Sequence, residues 1–288
     1  MCWDDGAVTA PSLRPEPGPV DLAAIDTNAT PGFTGGKEDG KDALASLGPE
    51  LADLQERLFA EGRATGSRRR VLLVLQGMDT SGKGGTLEHT VGLVDPQGVR
   101  ITSFKAPTDE ERSHDFLWRI RRAVPEPGYI GVFDRSHYED VLIARVEGMA
   151  DTDEIERRYD AINAFERELV DDGVVLVKCM LHISKETQRE RLLTRLDNPG
   201  KHWKYNPADL DARARWADYQ AAYAAALERT NTEHAPWHVV PSDRKWFRNL
   251  AVGLLLLEAL RGLALHWPAA DFDVDAERER LLHEGEAS

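Results

Sequence analysis

The chain has 288 residues, 41% hydrophobic and 30% charged, enough for one large domain with a full core or two small ones. Its 36 basic and 50 acidic side chains leave a net charge of -14, which argues against a general nucleic-acid binder, so any polyanion it handles must meet a local basic patch. The two cysteines, Cys2 and Cys179, make no disulfide framework, and a reducing cytoplasm is the expected location.

The first 14 residues lack the basic start and apolar stretch of a secretory signal. Residues 1–40, rich in Pro, Gly, Asp and Thr, read as an extended or partly disordered arm, draped over the domain or over a neighbouring subunit, ahead of a single domain over 41–288. Leu51, Leu54, Leu58 and Phe59 predict an amphipathic helix over 47–60, and Arg68-Arg69-Arg70 a solvated basic turn. The apolar run Val71-Leu72-Leu73-Val74-Leu75 is a strand. It stops at Gly77 and passes through a glycine-rich turn into a helix at Leu87-Glu88-His89.

Strands follow over 98–104, 129–133, 174–183 and 237–240, with helices predicted over 109–124 and 151–172 and another starting at Ser184. The longest apolar run, 250–257, is too short to span a bilayer and continues into Glu258 and Arg261 at helical spacing. It is read as a core helix, and no membrane attachment is expected. Alternating strands and helices imply a parallel sheet covered on both faces, with ligands beyond the carboxyl ends of the strands.

Gly77-Met78-Asp79-Thr80-Ser81-Gly82-Lys83-Gly84 fits the spacing of a phosphate cradle: backbone N–H groups, a helix N-terminus and a lysine all face one anion. Gly84 stands where nucleotide hydrolases carry a Ser or Thr for magnesium, and an acid, Asp79, lies inside the loop instead. The third strand closes on Asp134-Arg135, the second half of the usual pairing with such a loop; a cap and a surface partner are the plainer reading. Asp79 and Asp134 together are candidate ligands for one or two magnesium ions.

Lys185, Arg189, Arg191, Arg195, Lys201 and Lys204 make a basic strip in an acidic chain, suited to a lid over phosphates. Arg119 and Arg122 share a helix face that is either solvated or part of a site. His114, His137, His182 and His202 show no zinc-ligand spacing, and no Gly-x-Ser-x-Gly elbow occurs.

Leu75-Gln76-Gly77-Met78-Asp79-Thr80-Ser81-Gly82-Lys83-Gly84-Gly85, Phe133-Asp134-Arg135-Ser136-His137-Tyr138-Glu139-Asp140-Val141-Leu142 and Lys201-His202-Trp203-Lys204-Tyr205-Asn206-Pro207-Ala208-Asp209 together resemble the polyphosphate kinase 2 family. Ala235-Pro236-Trp237 and Ser242-Asp243-Arg244-Lys245-Trp246-Phe247-Arg248-Asn249-Leu250 extend the likeness, which covers roughly 22–265. It implies an α/β, three-layer α/β/α P-loop kinase fold like thymidylate kinase, with a parallel central sheet, a helical lid over about 185–210, magnesium dependence and a homodimer or homotetramer.

The implied reaction moves the terminal phosphoryl of inorganic polyphosphate to a nucleoside mono- or diphosphate, AMP or ADP with guanine nucleotides as further acceptors. By motif position Asp79, Lys83, Asp134 and Arg135 match the family's active-site residues. Gly77, Ser81, Gly82, Gly84, Lys105, Arg119, Arg195, Lys201 and Lys204 match its phosphate and polyphosphate contacts. Glu139 falls where family branches differ in acceptor, here nearer the branch acting on AMP as well as ADP. An ATP-dependent nucleoside monophosphate kinase and a non-catalytic polyphosphate- or nucleotide-binding module are the rival readings.

Overall fold

A computed structural model describes residues 10–16 and 18–284; Cys2 and the chain ends lie outside them. Five strands, β1 (Arg70–Gln76), β2 (Val99–Ser103), β3 (Ile130–Asp134), β4 (Val174–His182) and β5 (Trp237–Pro241), form one parallel sheet in the order β2-β3-β1-β4-β5. Helices run in chain order as α1 (Lys37–Ala64), α2 (Lys83–His89), α3 (Asp109–Arg112), α4 (Trp118–Ala123), α5 (Glu139–Val146), α6 (Thr152–Asp171), α7 (Lys185–Asp197), α8 (Ala208–Ala214), α9 (Trp216–Thr230), α10 (Lys245–Gly262) and α11 (Val274–Leu282).

Central β1 is buried along its whole length, as a strand covered on both faces must be. Its pleat sends Val71, Leu73 and Leu75 into a core made with α1 and α10, and Leu72 and Val74 into a second core made with α5, α6 and α9. The run at 250–257 lies inside α10, buried almost throughout, so it is a core helix as expected. No helix among the described residues is long and apolar enough to cross a membrane.

The structure departs from the sequence reading in four places. Helix α1 starts at Lys37 rather than at residue 47, because the Asp39 carboxylate accepts the Gly36 N–H at 2.7 Å and caps the new start, and Pro49 is carried inside the helix. The helix expected over 109–124 is split into α3 and α4: the Asp115 side chain accepts the Leu117 N–H at 3.0 Å, a local bond that competes with the helical ladder. Arg68-Arg69-Arg70 is not a solvated turn. Arg70 is buried and, with Arg68, pairs with Asp172, while Arg69 pairs with Glu61, which clamps the entry of β1 to the ends of α6 and α1. Helices α5, α8, α9 and α11 had no counterpart in the sequence reading.

Described residues of the N-terminal arm lie on the chain's own domain. Leu13, Leu22 and Phe33 are buried, and Val239 of β5 donates its N–H to the Leu13 carbonyl at 2.8 Å, which covers the exposed edge of the sheet.

Candidate active site

The cradle leaves β1 at Gln76 and turns back through three positive-φ positions, Gly77 (+149°), Thr80 (+66°) and Gly82 (+112°), before α2 begins at Lys83. Only glycine takes such angles without strain; Thr80 is held there by its surroundings. One of these holds is Arg191 of α7, whose guanidinium donates to the carbonyls of Thr80 (2.8 Å), Ser81 (3.1 Å), Ser242 (2.6 Å) and Asp243 (3.0 Å). Gln188 donates to the Asp79 carbonyl at 3.1 Å, and the buried Arg248 to the Ser81 carbonyl at 3.2 Å. The carbonyls of Asp79, Thr80 and Ser81 are thus tied outward to α7 and α10, while the Ser81 N–H closes the turn on the Met78 carbonyl at 3.0 Å.

Lys83 reaches back over the loop, Nζ donating to the Gly77 carbonyl at 2.8 Å. Burial pulls its pKa below the ordinary lysine value, opposed by the charges of Asp79, Asp134 and Glu139. Arg135 follows β3 at φ +64° and pairs with the Asp79 carboxylate at 2.9 Å. Burial works against its charge, but Glu139, Asp79 and Asp134 together raise its pKa. Asp79, Lys83, Asp134, Arg135 and Glu139 therefore meet in one electrostatic group, drawn from the carboxyl ends of β1 and β3 and the start of α5.

Within this group Thr80 Oγ1, Ser81 Oγ and Asp134 Oδ1 are buried and have no hydrogen-bond partner in the protein. Such groups are costly to bury unless something satisfies them, and phosphate oxygens or a hard cation would do so. Among the described residues no three His, Cys, Asp or Glu side chains gather in a metal cage. Magnesium does not require one, since it takes one or two carboxylates and completes its shell with water and substrate phosphates, so Asp134 with Asp79 suits it.

Two basins adjoin this group, the first lined in part by the loop and the second by Arg135 and Glu139. The first, about 770 Å³, is lined by Thr80, Gly82 and Gly85 of the loop and helix start and by Lys37, Lys41, Arg195, Lys201, Lys204 and Lys245, with Glu88 as its one acid among the described residues. Arg195 is partly held by the Lys204 carbonyl at 2.9 Å and by Asp209 at 3.2 Å. The second, about 660 Å³, has apolar walls from Phe104, Pro107, Phe116 and Ile143 and a rim of mixed charge, with Glu111, Asp115, Glu139, Asp140 and Glu154 alongside Arg112, Arg135, Arg157 and Arg158.

Lys105 and Arg119, grouped by sequence with Arg195, Lys201 and Lys204, line this second basin instead. Arg119 is a fixture of its wall: it donates to the Lys105 carbonyl at 2.8 Å and lies 3.8 Å from both Glu111 and Asp140. A small slot that shares Arg135, Glu139 and Ile143 with the second basin joins them to Asp79 and to Tyr219 and Tyr223 of α9.

Several residues of this arrangement had no assigned role in the sequence. Gln76 donates to Glu139 Oε1 at 2.9 Å and fixes that carboxylate over the second basin. Arg191, part of the basic strip in sequence, instead binds backbone carbonyls, a role visible only in three dimensions. Arg248 lies in a motif that carried the family likeness without a function attached. Tyr219 and Tyr223 belong to a helix that the sequence reading did not predict.

The family description "Polyphosphate kinase 2" matches residues 35–265. The AMP/ADP-polyphosphate phosphotransferase of Meiothermus ruber is 46% identical over 251 residues, 87% of this chain and 92% of the relative. The ADP-polyphosphate phosphotransferase of Rhodopseudomonas palustris is 39% identical over 275 residues, 91% of this chain and 92% of the relative. The crystal structure of polyphosphate kinase 2 from Arthrobacter aurescens TC1 superposes with a TM-score of 0.93 at 57% identity, covering 98% of this chain and 100% of that one. With the cradle, the Asp134-Arg135 turn and the basic strip all inside the matched span, the chain belongs to the polyphosphate kinase 2 family.

Proposed function

We propose that this chain transfers the terminal phosphoryl of inorganic polyphosphate to AMP or ADP, with polyphosphate in the lysine-rich basin and the nucleotide in the basin walled by Phe104 and Phe116. The observation that carries the reading is that two unlike basins adjoin the one charged group at the cradle. A basin rimmed by flexible lysines suits a long, uniform polyanion, and one with aromatic and aliphatic walls suits a base. Guanine nucleotides are proposed as further acceptors at the same walls.

The acceptor phosphate is already anionic near neutral pH, its second pKa being about 6, so no strong general base is needed. What the reaction needs is alignment and relief of charge repulsion. Loop N–H groups and Lys83 hold the phosphoryl that moves. Arg135, fixed by Asp79, faces the acceptor phosphate, and Glu139, fixed by Gln76, orients the nucleotide at the second basin. Asp134 and Asp79 would hold magnesium, which when bound neutralises phosphate charge at the point where donor and acceptor meet. A cytoplasmic location and assembly as a homodimer or homotetramer belong to the same proposal, the latter read by sedimentation.

The test is to mix purified protein with polyphosphate, magnesium and either AMP or ADP and follow nucleotides by chromatography. ADP or ATP should form in proportion to polyphosphate consumed. No product from either acceptor, or product only when ATP replaces polyphosphate, would overturn the proposal.

A further inference from the structure

Beneath the turn that follows β3 lies a charged cluster that touches neither basin. Glu166 of α6, Lys178 in the middle of β4, and His137 and Tyr138 of the turn are each 0% exposed. The Glu166 carboxylate accepts from the Tyr138 hydroxyl at 2.7 Å and from Lys178 Nζ at 2.7 Å, and lies 3.3 Å from His137 Nε2. Lys178 Nζ places its other two hydrogens on the Tyr138 hydroxyl oxygen and the Thr230 carbonyl, both at 2.9 Å. Thr230 is tied in turn to Trp237, whose indole N–H donates to Thr230 Oγ1 at 2.9 Å.

An ion pair this deep is not explained by stability, since apolar residues of the same volume often do as well or better. Its position suggests a different role. His137 and Tyr138 follow two and three residues after Arg135, a non-glycine residue at φ +64°, and such a conformation persists only where the surroundings enforce it. The same short turn carries Arg135 toward Asp79 at one end and Glu139 toward Gln76 at the other. Of the three side chains between them, Ser136 bonds Gln76 at 3.3 Å and the other two, His137 and Tyr138, are seated on Glu166.

We propose that Glu166 and Lys178 are positioning residues for phosphoryl transfer: through Tyr138 and His137 they fix the 135–139 turn, and so the placing of Arg135 and Glu139 at the acceptor basin. The inference rests on the reading of the second basin as the nucleotide site. The effect is expected on the acceptor side, because Arg135 and Glu139 line the second basin while no residue of the 135–139 turn lines the first.

Two variants test it, Tyr138→Phe, which removes one hydroxyl and no charge, and Glu166→Leu/Lys178→Met, which removes both charges together. For each, the Tm, the equilibrium Kd of ADP and of polyphosphate by calorimetry, and kcat are measured on the full chain. Both variants should weaken ADP binding several-fold and lower kcat about ten-fold, with polyphosphate Kd within two-fold of the starting protein. Unchanged ADP Kd and kcat beside a lower Tm would make the cluster structural only and overturn the proposal, as would equal weakening of both ligands. If the double variant does not fold, Tyr138→Phe decides alone by the same criteria. The two Kd values are read without turnover, so a starting protein that makes no product refutes the reaction assignment separately from the positioning role.

Discussion

Replacing Gly82 with alanine tests how tightly the cradle is built. At φ +112° a side chain is strained by about 1–2 kcal/mol. A Cβ there would also come within 1.7 Å of Arg248 Nη1 and 2.5 Å of its Cζ. Arg248 cannot swing aside cheaply: it is only 3% exposed and its guanidinium donates to the Ser81 carbonyl and, at 2.7 and 3.1 Å, to Asn249 Oδ1. Losing charged hydrogen bonds of this kind costs about 1.5–3 kcal/mol, so the substitution should destabilise by about 3–5 kcal/mol and lower the Tm by about 10 °C. Loop N–H groups displaced by about 1 Å should lower kcat on the order of 100-fold. Gly84→Ala is the control. An added Cβ there meets nothing within 4 Å, and the site lies within α2, so its Tm should hold or rise slightly. Calorimetry with steady-state kinetics reads both. A Gly82→Ala protein with unchanged Tm and kcat within three-fold would refute the close packing of Arg248 under the loop.

Lys83→Met should lower kcat at least 100-fold, about 3 kcal/mol of lost transition-state stabilisation, while the Tm holds or rises because a buried charge is gone; single-turnover assays with thermal melts check both. Arg191→Met leaves the Thr80, Ser242 and Asp243 carbonyls without their donor and Ser81 with Arg248 alone, and should destabilise by about 2–5 kcal/mol in urea titrations. Gln76→Met frees Glu139 and should raise the acceptor KM about five-fold, leaving the polyphosphate KM unchanged. Burial, with Arg14 and Lys178 nearby, pushes His238 down to about 4, and burial lowers His182 in the same direction. Between about 6.5 and 4 the unfolded chain therefore binds more protons than the folded one, so stability falls as pH drops through that window, by at most about 3 kcal/mol for His238. Urea midpoints at pH 7 and 4.5 should converge in His238→Gln relative to the unsubstituted chain.

The sheet was legible because β1, β3 and β4 are buried on both faces and their sequences are nearly continuous apolar runs. Helix α9 was not, since its buried face is built largely from Ala222, Ala226, Tyr219 and Tyr223, a weaker signal than the leucine stripe of α1. The acids of the site could be found from the sequence because each follows a strand at a carboxyl end. The division of the cations between two basins could not, because Lys105 and Lys201 are alike in sequence and differ only in which basin their elements reach. Arg191 shows the same limit: side-chain type gives its charge, while only packing shows that the charge is spent on backbone carbonyls. The cluster of Glu166, Lys178 and Tyr138 joins α6, β4 and the β3 turn, residues brought together by the sheet order and by no local spacing.

The central claim, that two polyanions approach one cradle from separate basins, is tested most directly by measuring both KM values in two variants. Lys201→Ala/Lys204→Ala removes cations from the first basin, and Ile143→Trp narrows the second. The first should raise the polyphosphate KM about ten-fold, or about 1.4 kcal/mol, with the nucleotide KM unchanged, and the second should do the reverse. Parallel changes in both KM values, or a crossed pattern, would contradict the account.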